Sequence, residues 1–335
     1  TGVQTCALPI WEIYMQKNSN CHLIGIDLGG TSTKLGLFDS DGTLLFSWAI
    51  STRIDDNGGH ILEDIACSIR ETLAGRGLSL ADIAGIGMGI PGLVLSGGYV
   101  EVCANLGWKD TNPQEDLSAL LDCISVFCEN DANTAAFGEM WQGSGKAFRD
   151  MVMITLGTGI GGAVILDGKI RAGRECLCGE LGHIHIIEDE TEPCTCGGVG
   201  CLQQAASAPG IIRTAKRLLA EPDAVSTLKD NPEITAKDVI DAAKENDPVA
   251  SQAVERACRY LGWILSGVTM TIEPEAYMVG GGLSAAGSFL IDKIRHYHDL
   301  FTPVVRRKPD FVIAALGNNA GIYGAAGLAL SHCKE

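Results

Sequence analysis

The chain has 335 residues, 46% of them apolar and 20% charged, which is enough for two domains of ordinary size that each bury a core. Acidic residues outnumber basic ones 41 to 25, for a net charge of −16, and no basic cluster is denser than Arg306-Arg307-Lys308; a protein that grips nucleic acid through its phosphates needs the opposite field, so no nucleic-acid partner is expected. No apolar run approaches the roughly 18 residues that span a bilayer, so no membrane partner is expected either.

The thirteen cysteines are irregularly spaced and no cleavable signal pattern precedes them. They read as free thiols plus one metal cluster in a reducing cytoplasm.

Residues 1–14 carry no pattern that connects them to the rest of the chain, and with the polar run to residue 20 they are set aside as a non-native or disordered segment. From Cys21 the sequence reads as strands: HLIGIDLGG, TKLGLFDSDG and TLLFSWAI are short apolar runs punctuated by Gly and Asp, an antiparallel meander with a turn at Asp41-Gly42. Ile61, Ile65, Ile69 and Leu73 recur every four residues ahead of Gly75 and Gly77, as in an amphipathic helix with a glycine stop. A strand over 84–90 ends at Pro91-Gly92, and one over 125–130 runs into DANTAAFGEMW, whose helix formers begin a helix just after Asp131.

The segment 151–170 then repeats the opening: Ile26-x-Leu28-Gly29-Gly30 matches Ile154-x-Leu156-Gly157-Thr158, and each is followed by a second apolar strand and an Asp-Gly turn. A repeated strand, turn and strand unit implies two similar α/β lobes facing each other across a nucleotide, the layout of the actin-like (ribonuclease H-like) ATPase fold with its interlobe cleft. The expected division is 21–128 plus 319–335 for a small lobe and 129–318 for a large one. Further helices are expected near 203–220, after Thr235 with Asp238 in capping-box spacing, over 248–272 and over 320–332, with a strand over 276–282.

Several clusters carry chemistry. Asp27-Leu-Gly-Gly-Thr-Ser-Thr-Lys34 places glycines where backbone must approach a ligand closely, with N–H groups and hydroxyls for phosphate oxygens and Asp27 in reach of a Mg2+ ion through water. The same glycines would also serve a plain β-hairpin turn. Gly157-Thr-Gly-Ile-Gly-Gly162 is a second such turn and Gly280-Gly-Gly282 a third; none is a Walker loop or a dinucleotide fingerprint. Asn130-Asp131-Ala-Asn133 stands at a strand end, where a carboxylate can accept the proton of an alcohol during phosphoryl transfer. Helix capping by Asp131 or Asn133 fits the same residues.

Cys194-Thr-Cys196-Gly-Gly-Val-Gly-Cys201 supplies three thiolates within eight residues, and a closed structural zinc site needs a fourth sulfur or nitrogen ligand. His183, His185, Cys176 and Cys178 are all candidates by spacing. Glu180 and His183 just ahead of that loop could be presented to a polyol, and Asn105-Leu-Gly-Trp108 adds an amide and an aromatic, although a Trp also suits a core.

Taken together, IDLGGT (26–31), NLGW (105–108), ENDAN (129–133), LGTGIGG (156–162), GELGH (179–183) and CTCGGVGCL (194–202) resemble the ROK family (repressor, open reading frame, kinase) from about residue 22 onward. ENDANTAAFGEMWQGSG, ASAPGIIRTAKRL and ALGNNAGIYGAA are most similar to the bacterial glucokinases of that family. The resemblance implies ATP-dependent phosphorylation of the 6-hydroxyl of a hexose, glucose first, with N-acetylglucosamine, N-acetylmannosamine, mannose or fructose as alternatives, by a cytoplasmic homodimer acting in glycolysis.

It also implies a catalytic base at Asp131 and sugar contacts from Asn105, Asn130, Asp131, Glu180 and His183. ATP with Mg2+ would lie on Asp27, Gly29, Gly30, Thr31, Thr33, Lys34, Gly157, Thr158, Gly159, Gly161 and Gly281. Zinc would lie on His183, Cys194, Cys196 and Cys201, a choice of histidine that spacing leaves open. A sugar-responsive repressor of the same family would need a helix-turn-helix ahead of the first strand, where only about twenty residues stand. Two departures from the family pattern are Gln203, where Glu is usual, and Glu175-Cys-Leu-Cys178, where small residues are usual.

Overall fold

The computed structural model describes residues 21–332, so the expectation for residues 1–20 lies outside them. The opening meander is present as β1 (His22–Leu28), β2 (Ser32–Phe38) and β3 (Leu44–Ser51), paired antiparallel with Asp27 opposite Lys34. Edge strand β3 alternates half-buried and exposed residues, whereas central β1 buries Leu23, Ile24, Ile26 and Leu28 in an almost continuous apolar run, the pattern of a strand covered on both faces. The amphipathic helix comes next as α1 (Ile61–Ala74), with Ile61, Ile65, Ile69 and Leu73 all buried.

After β4 (Ile83–Ile90) comes a hairpin that the sequence reading lacks, β5 (Val100–Cys103) with β6 (Trp108–Thr111), then α2 (Pro113–Leu120) and β7 (Val126–Asn130). β4 joins β1 in parallel and β7 joins β4, giving the order β3-β2-β1-β4-β7. α3 (Asp131–Gln142) completes this stretch.

The repeat seen in the sequence is a repeat of topology. β8 (Met151–Leu156), β9 (Ile160–Leu166) and β10 (Lys169–Ile170) form the second meander. The helix expected over 203–220 is broken into a short turn, Gln203–Ala206, and α4 (Ala208–Leu219), because Ser207 is extended and its Oγ accepts from Gly210 N–H at 3.2 Å to cap the second piece. α5 (Ala236–Lys244) has the capping box of Thr235 and Asp238, and α6 (Pro248–Ile272) keeps the expected bounds. β11 (Ala276–Gly280), α7 (Ser288–Phe301), β12 (Asp310–Ile313) and α8 (Ala320–His332) close the chain. The sheet order is β10-β9-β8-β11-β12, with β8, β11 and β12 parallel. Two sheets of one topology are the duplicated plan of the actin-like fold.

One compact unit contains the described chain to Gly143, Arg174–Cys176 and the chain from Asn318; the other contains Ser144–Gly173 and Leu177–Gly317. The junction therefore lies after Gly143 and not at 128/129, because β7 pairs with β4 and α3 packs along α8 within the first unit. α8 lies so close to the first sheet that a Cβ on Gly25 or Gly87 would run into its backbone.

Candidate functional site

β1, β4 and β7 run parallel, and Asp27 and Asp131 stand at the carboxyl ends of the outer two in sequence, at the edge where α/β sheets bind ligands. Asp27 stands near the end of β1, Pro91-Gly92 come after β4, and Asp131 comes after β7. Asp131 opens α3 without capping it. The cap is Asn130, whose Oδ1 accepts from the N–H groups of Ala132 (2.9 Å) and Asn133 (3.1 Å), so the caps expected on Asp131 or Asn133 fall to their neighbour. Asn130 Nδ2 donates to Gly92 O at 2.9 Å and to Asp131 Oδ1 at 3.0 Å, and Ala132 N–H donates to the same Oδ1 at 2.8 Å. These bonds fix the carboxylate through one oxygen.

Burial raises the Asp131 carboxyl above the usual carboxylate range and the Asp27 charge adds to it, against hydrogen bonds from Ala132 and Asn130 that pull it down. Burial raises Asp27 as well, while Lys34, with Nζ 3.8 Å from Oδ2, draws it down. A pair of half-buried carboxylates with raised pKa values is a mark of acid–base chemistry. Gly321, in the first turn of α8, allows the Asp27 carboxylate to approach so closely that a Cβ there would stand 2.6 Å from its carbon.

Asn105 is exposed in the β5–β6 turn, and its carbonyl lies 3.4 Å from where a Cβ on Gly30 would stand. Trp108 belongs to the core, with Nε1 donating to Gly58 O at 3.2 Å. Thr31 is exposed on the turn, whereas Thr33 is buried with its hydroxyl 2.9 Å from that of Thr52. The expected phosphate contact from the Thr33 hydroxyl is thus corrected: that group serves the fold. Thr52, which the sequence did not single out, also donates to Gly29 O at 2.7 Å and holds the turn. Lys34 Nζ donates to Asn318 O at 3.1 Å. Two further groups escaped the sequence reading. Glu129 has a carboxyl raised by burial and accepts from Asn133 Nδ2 at 3.1 Å. Cys103 is buried, donates to Pro91 O at 2.9 Å, and has a thiol pushed up by burial and, more weakly, by Asp131.

In the second unit the Gly157–Gly162 turn joins β8 to β9, with Gly157 N–H donating to Gly159 O at 3.0 Å and Thr158 exposed. A Cβ on Gly157 would meet nothing within 4 Å, so a ligand can reach this backbone. Gly281 differs: at φ +81° its Cβ would stand 2.5–2.8 Å from the backbone of Leu156. Packing against β8 is enough to require glycine there, so the glycine by itself does not mark a nucleotide contact. Gly161 fits against Thr155 Oγ1 in the same way, at 2.8 Å.

His183, Cys194, Cys196 and Cys201 bring one ligand atom each to within 4.8 Å of one another. His183 ends a short 3-10 turn, Leu181–His183, with Nδ1 3.7 Å from Cys194 Sγ and Nε2 3.9 Å from Glu180 Oε2; Cys196 and Cys201 sulfurs are 3.6 Å apart. Cys194 N–H bonds Gly198 O at 2.7 Å and Gly197 N–H bonds Cys194 O at 2.9 Å, which folds the loop around the sulfurs. His185 stays outside, its Nδ1 engaged with Val199 O at 2.7 Å, and Cys176 and Cys178 are not part of the cluster.

Burial pushes the Cys194 thiol up, but hydrogen bonds from the Cys196 backbone and the Gln203 amide outweigh it and hold it down at about 6. Burial and the neighbouring sulfurs push Cys201 up. Three thiols this close share their ionisation poorly unless a cation sits among them, and three sulfurs with one imidazole are a zinc-type donor set. The loop is also anchored sideways, since buried Glu190 receives Arg213 at 2.8 Å and Arg217 at 3.3 Å, both from α4.

A family model described as "ROK family" matches residues 23–332, and the chain belongs to that family. Its relatives include the glucokinase of Halalkalibacterium halodurans, 37% identical over 310 residues that cover 91% of this chain and 94% of that protein. A crystal structure of a ROK family glucokinase from Streptomyces griseus in complex with glucose and AMPPNP is 32% identical, with a TM-score of 0.70 over 92% of this chain and 99% of that one. The ROK hexokinase from Thermus thermophilus is 27% identical, with a TM-score of 0.78 over 93% and 99% of the two chains. The actin-like plan with two lobes is common to them and to this chain.

Proposed function

We propose that the protein is an ATP-dependent hexose kinase of the glucokinase type, transferring the γ-phosphoryl group of Mg-ATP to the 6-hydroxyl of glucose. The observation that carries this reading is Asp131, a carboxylate raised by burial and by Asp27 and fixed through Oδ1 at the ligand edge of the sheet. The kinase relatives support it. In the reaction the carboxylate accepts the hydroxyl proton while the sugar oxygen bonds to the γ-phosphorus, and the bond to the bridging oxygen breaks to release ADP.

Asn105 and Asn130 join Asp131 in holding the sugar, and Glu180 and His183 of the second unit contribute an acceptor and a donor. Gly30 and Thr31 serve the phosphates on one unit and Gly157, Thr158 and Gly159 on the other, while Asp27 takes the Mg2+ that accompanies ATP through its waters. Zinc on His183, Cys194, Cys196 and Cys201 would be structural, neutralising the thiolates and closing the loop. His183, with Nδ1 among the sulfurs, then keeps Nε2 toward Glu180. Action as a cytoplasmic homodimer in glycolysis belongs to the same reading.

The test is ADP release by the purified protein with Mg-ATP across glucose, mannose, fructose, N-acetylglucosamine and N-acetylmannosamine. Glucose is expected to give the highest kcat/KM. Turnover of the N-acetylated sugars alone would overturn the glucose assignment, and no turnover of any sugar would overturn the kinase reading.

A further inference from the structure

The Gln203 amide has no part in the reaction as described, yet it touches two functional elements at once. Its Nε2 donates to Cys194 Sγ at 3.1 Å and to Thr195 Oγ1 at 3.0 Å. Its Oε1 accepts a long hydrogen bond, 3.5 Å, from Ile160 N–H and would lie 3.1 Å from a Cβ on Gly159. The donor end thus rests on the cysteine loop and the acceptor end on the glycine-rich turn.

The surrounding chain repeats this double attachment. Gln204 Oε1 accepts from Cys201 N–H at 3.1 Å and its Nε2 donates to Glu192 O at 2.9 Å, fixing the start of the Gln203–Ala206 turn to the cysteine loop. Ala208 N–H, just past its other end, donates to Gly157 O at 2.8 Å.

We propose that Gln203 is a positioning residue that couples the metal loop to the nucleotide turn. A cation among the sulfurs fixes Cys194, Cys194 fixes the amide, and the amide holds Gly157–Gly162 in the form that receives phosphate. The role needs an amide, because only a group with a donor at one end and an acceptor at the other makes both contacts. A carboxylate could still accept from Ile160 N–H but could not donate to Cys194 Sγ, so it would keep one contact and lose the other. Metal and nucleotide then strengthen each other's binding by one common factor, as linkage requires. This inference rests on the proposed function in taking the turn as a nucleotide site.

Two readouts that need no turnover test it: zinc release from the loaded protein to a chromophoric chelator, and equilibrium binding of a fluorescent ATP analogue to loaded and stripped protein. Stripped wild-type protein is expected to bind the analogue about 5-fold or more weakly than loaded protein. In Gln203→Ala and Gln203→Glu that ratio falls toward one, and zinc leaves about 10-fold faster. Circular dichroism verifies that the variants fold, and Gln203→Asn, which keeps a shorter amide, should recover part of the ratio.

An unchanged ratio in folded variants that still bind nucleotide would overturn the coupling alone. So would variants whose only defect is weaker glucose binding, since that would make Gln203 a sugar contact. Wild-type protein that binds no nucleotide in either state would refute the kinase reading and the coupling with it.

Discussion

The two units share one sheet order and differ in what stands at the same edge. Asp27 comes two residues before Gly29 in the first meander, and the matching residue two before Gly157 in the second is Thr155. Asp131 comes after β7, whereas Ala314 comes after β12. Between its meander and its first long helix the first unit passes directly from β3 toward α1, but the second carries a long segment there, Leu177–Leu202 of it within the unit, with His183 and the three cysteines. A duplicated scaffold therefore carries paired carboxylates in one copy and a bare glycine turn with a metal-type loop in the other. The scaffold does not dictate the chemistry; the few side chains grafted at its edge do.

The largest expected effect breaks the contrast in the first unit. Asp131→Asn should lower kcat by about 10³-fold, in the range for a lost general base, while glucose binding by calorimetry stays within a few-fold of wild type. Retained turnover would remove Asp131 from its role. Next comes the second unit. Cys196→Ser, or stripping the metal, should lower the unfolding temperature by about 5 °C or more. Hydrogen exchange should then rise over 183–201 and stay unchanged over β1–β3; equal loss of protection in both units would show that the loop is not a local staple.

The glycine turns sharpen the same comparison. Gly281→Ala should destabilise by about 1–3 kcal/mol, through a positive φ and a clash with Leu156. Gly157→Ala, beside open space, should leave the denaturation midpoint nearly unchanged and weaken nucleotide binding instead. The smallest effect concerns charge. The Asp131 carboxyl is raised in the folded state, so its contribution to stability is present below its unfolded pKa and lost as pH rises through the folded value. Asp131→Asn should therefore unfold about 1–3 °C higher than wild type at neutral pH, a gain that disappears below about pH 4. Thermal scans at the two pH values decide it.

Much of the fold is legible in the residues alone. The duplicated strand and turn pattern foretells the twin sheets, because short apolar runs and Asp-Gly turns are local signals. The three cysteines stand out by spacing, and the choice of His183 over His185 comes from the family resemblance; the structure adds that the His185 ring is occupied by Val199 O. Other features are not legible, since they depend on contacts between distant segments. β5 and β12 are four residues each, too short for periodicity to register. Whether a Thr in a glycine-rich turn faces ligand or core, as Thr31 and Thr33 divide, depends on strand register and on Thr52, which lies nineteen residues beyond Thr33. Nothing local marks Gly281 as a packing glycine, or Asn130 over its neighbours as the cap.

The most direct measurement is the acid limb of kcat/KM for Mg-ATP at saturating glucose, which reports the protein before metal and nucleotide bind, in wild type and in Asp27→Asn. If Asp131 is the base and Asp27 helps to raise it, the wild-type limb should lie above the ordinary carboxylate value of about 4, and in Asp27→Asn it should move to lower pH even though the rate is reduced. A limb at the ordinary value, or one that Asp27→Asn leaves in place, would contradict the paired-carboxylate site.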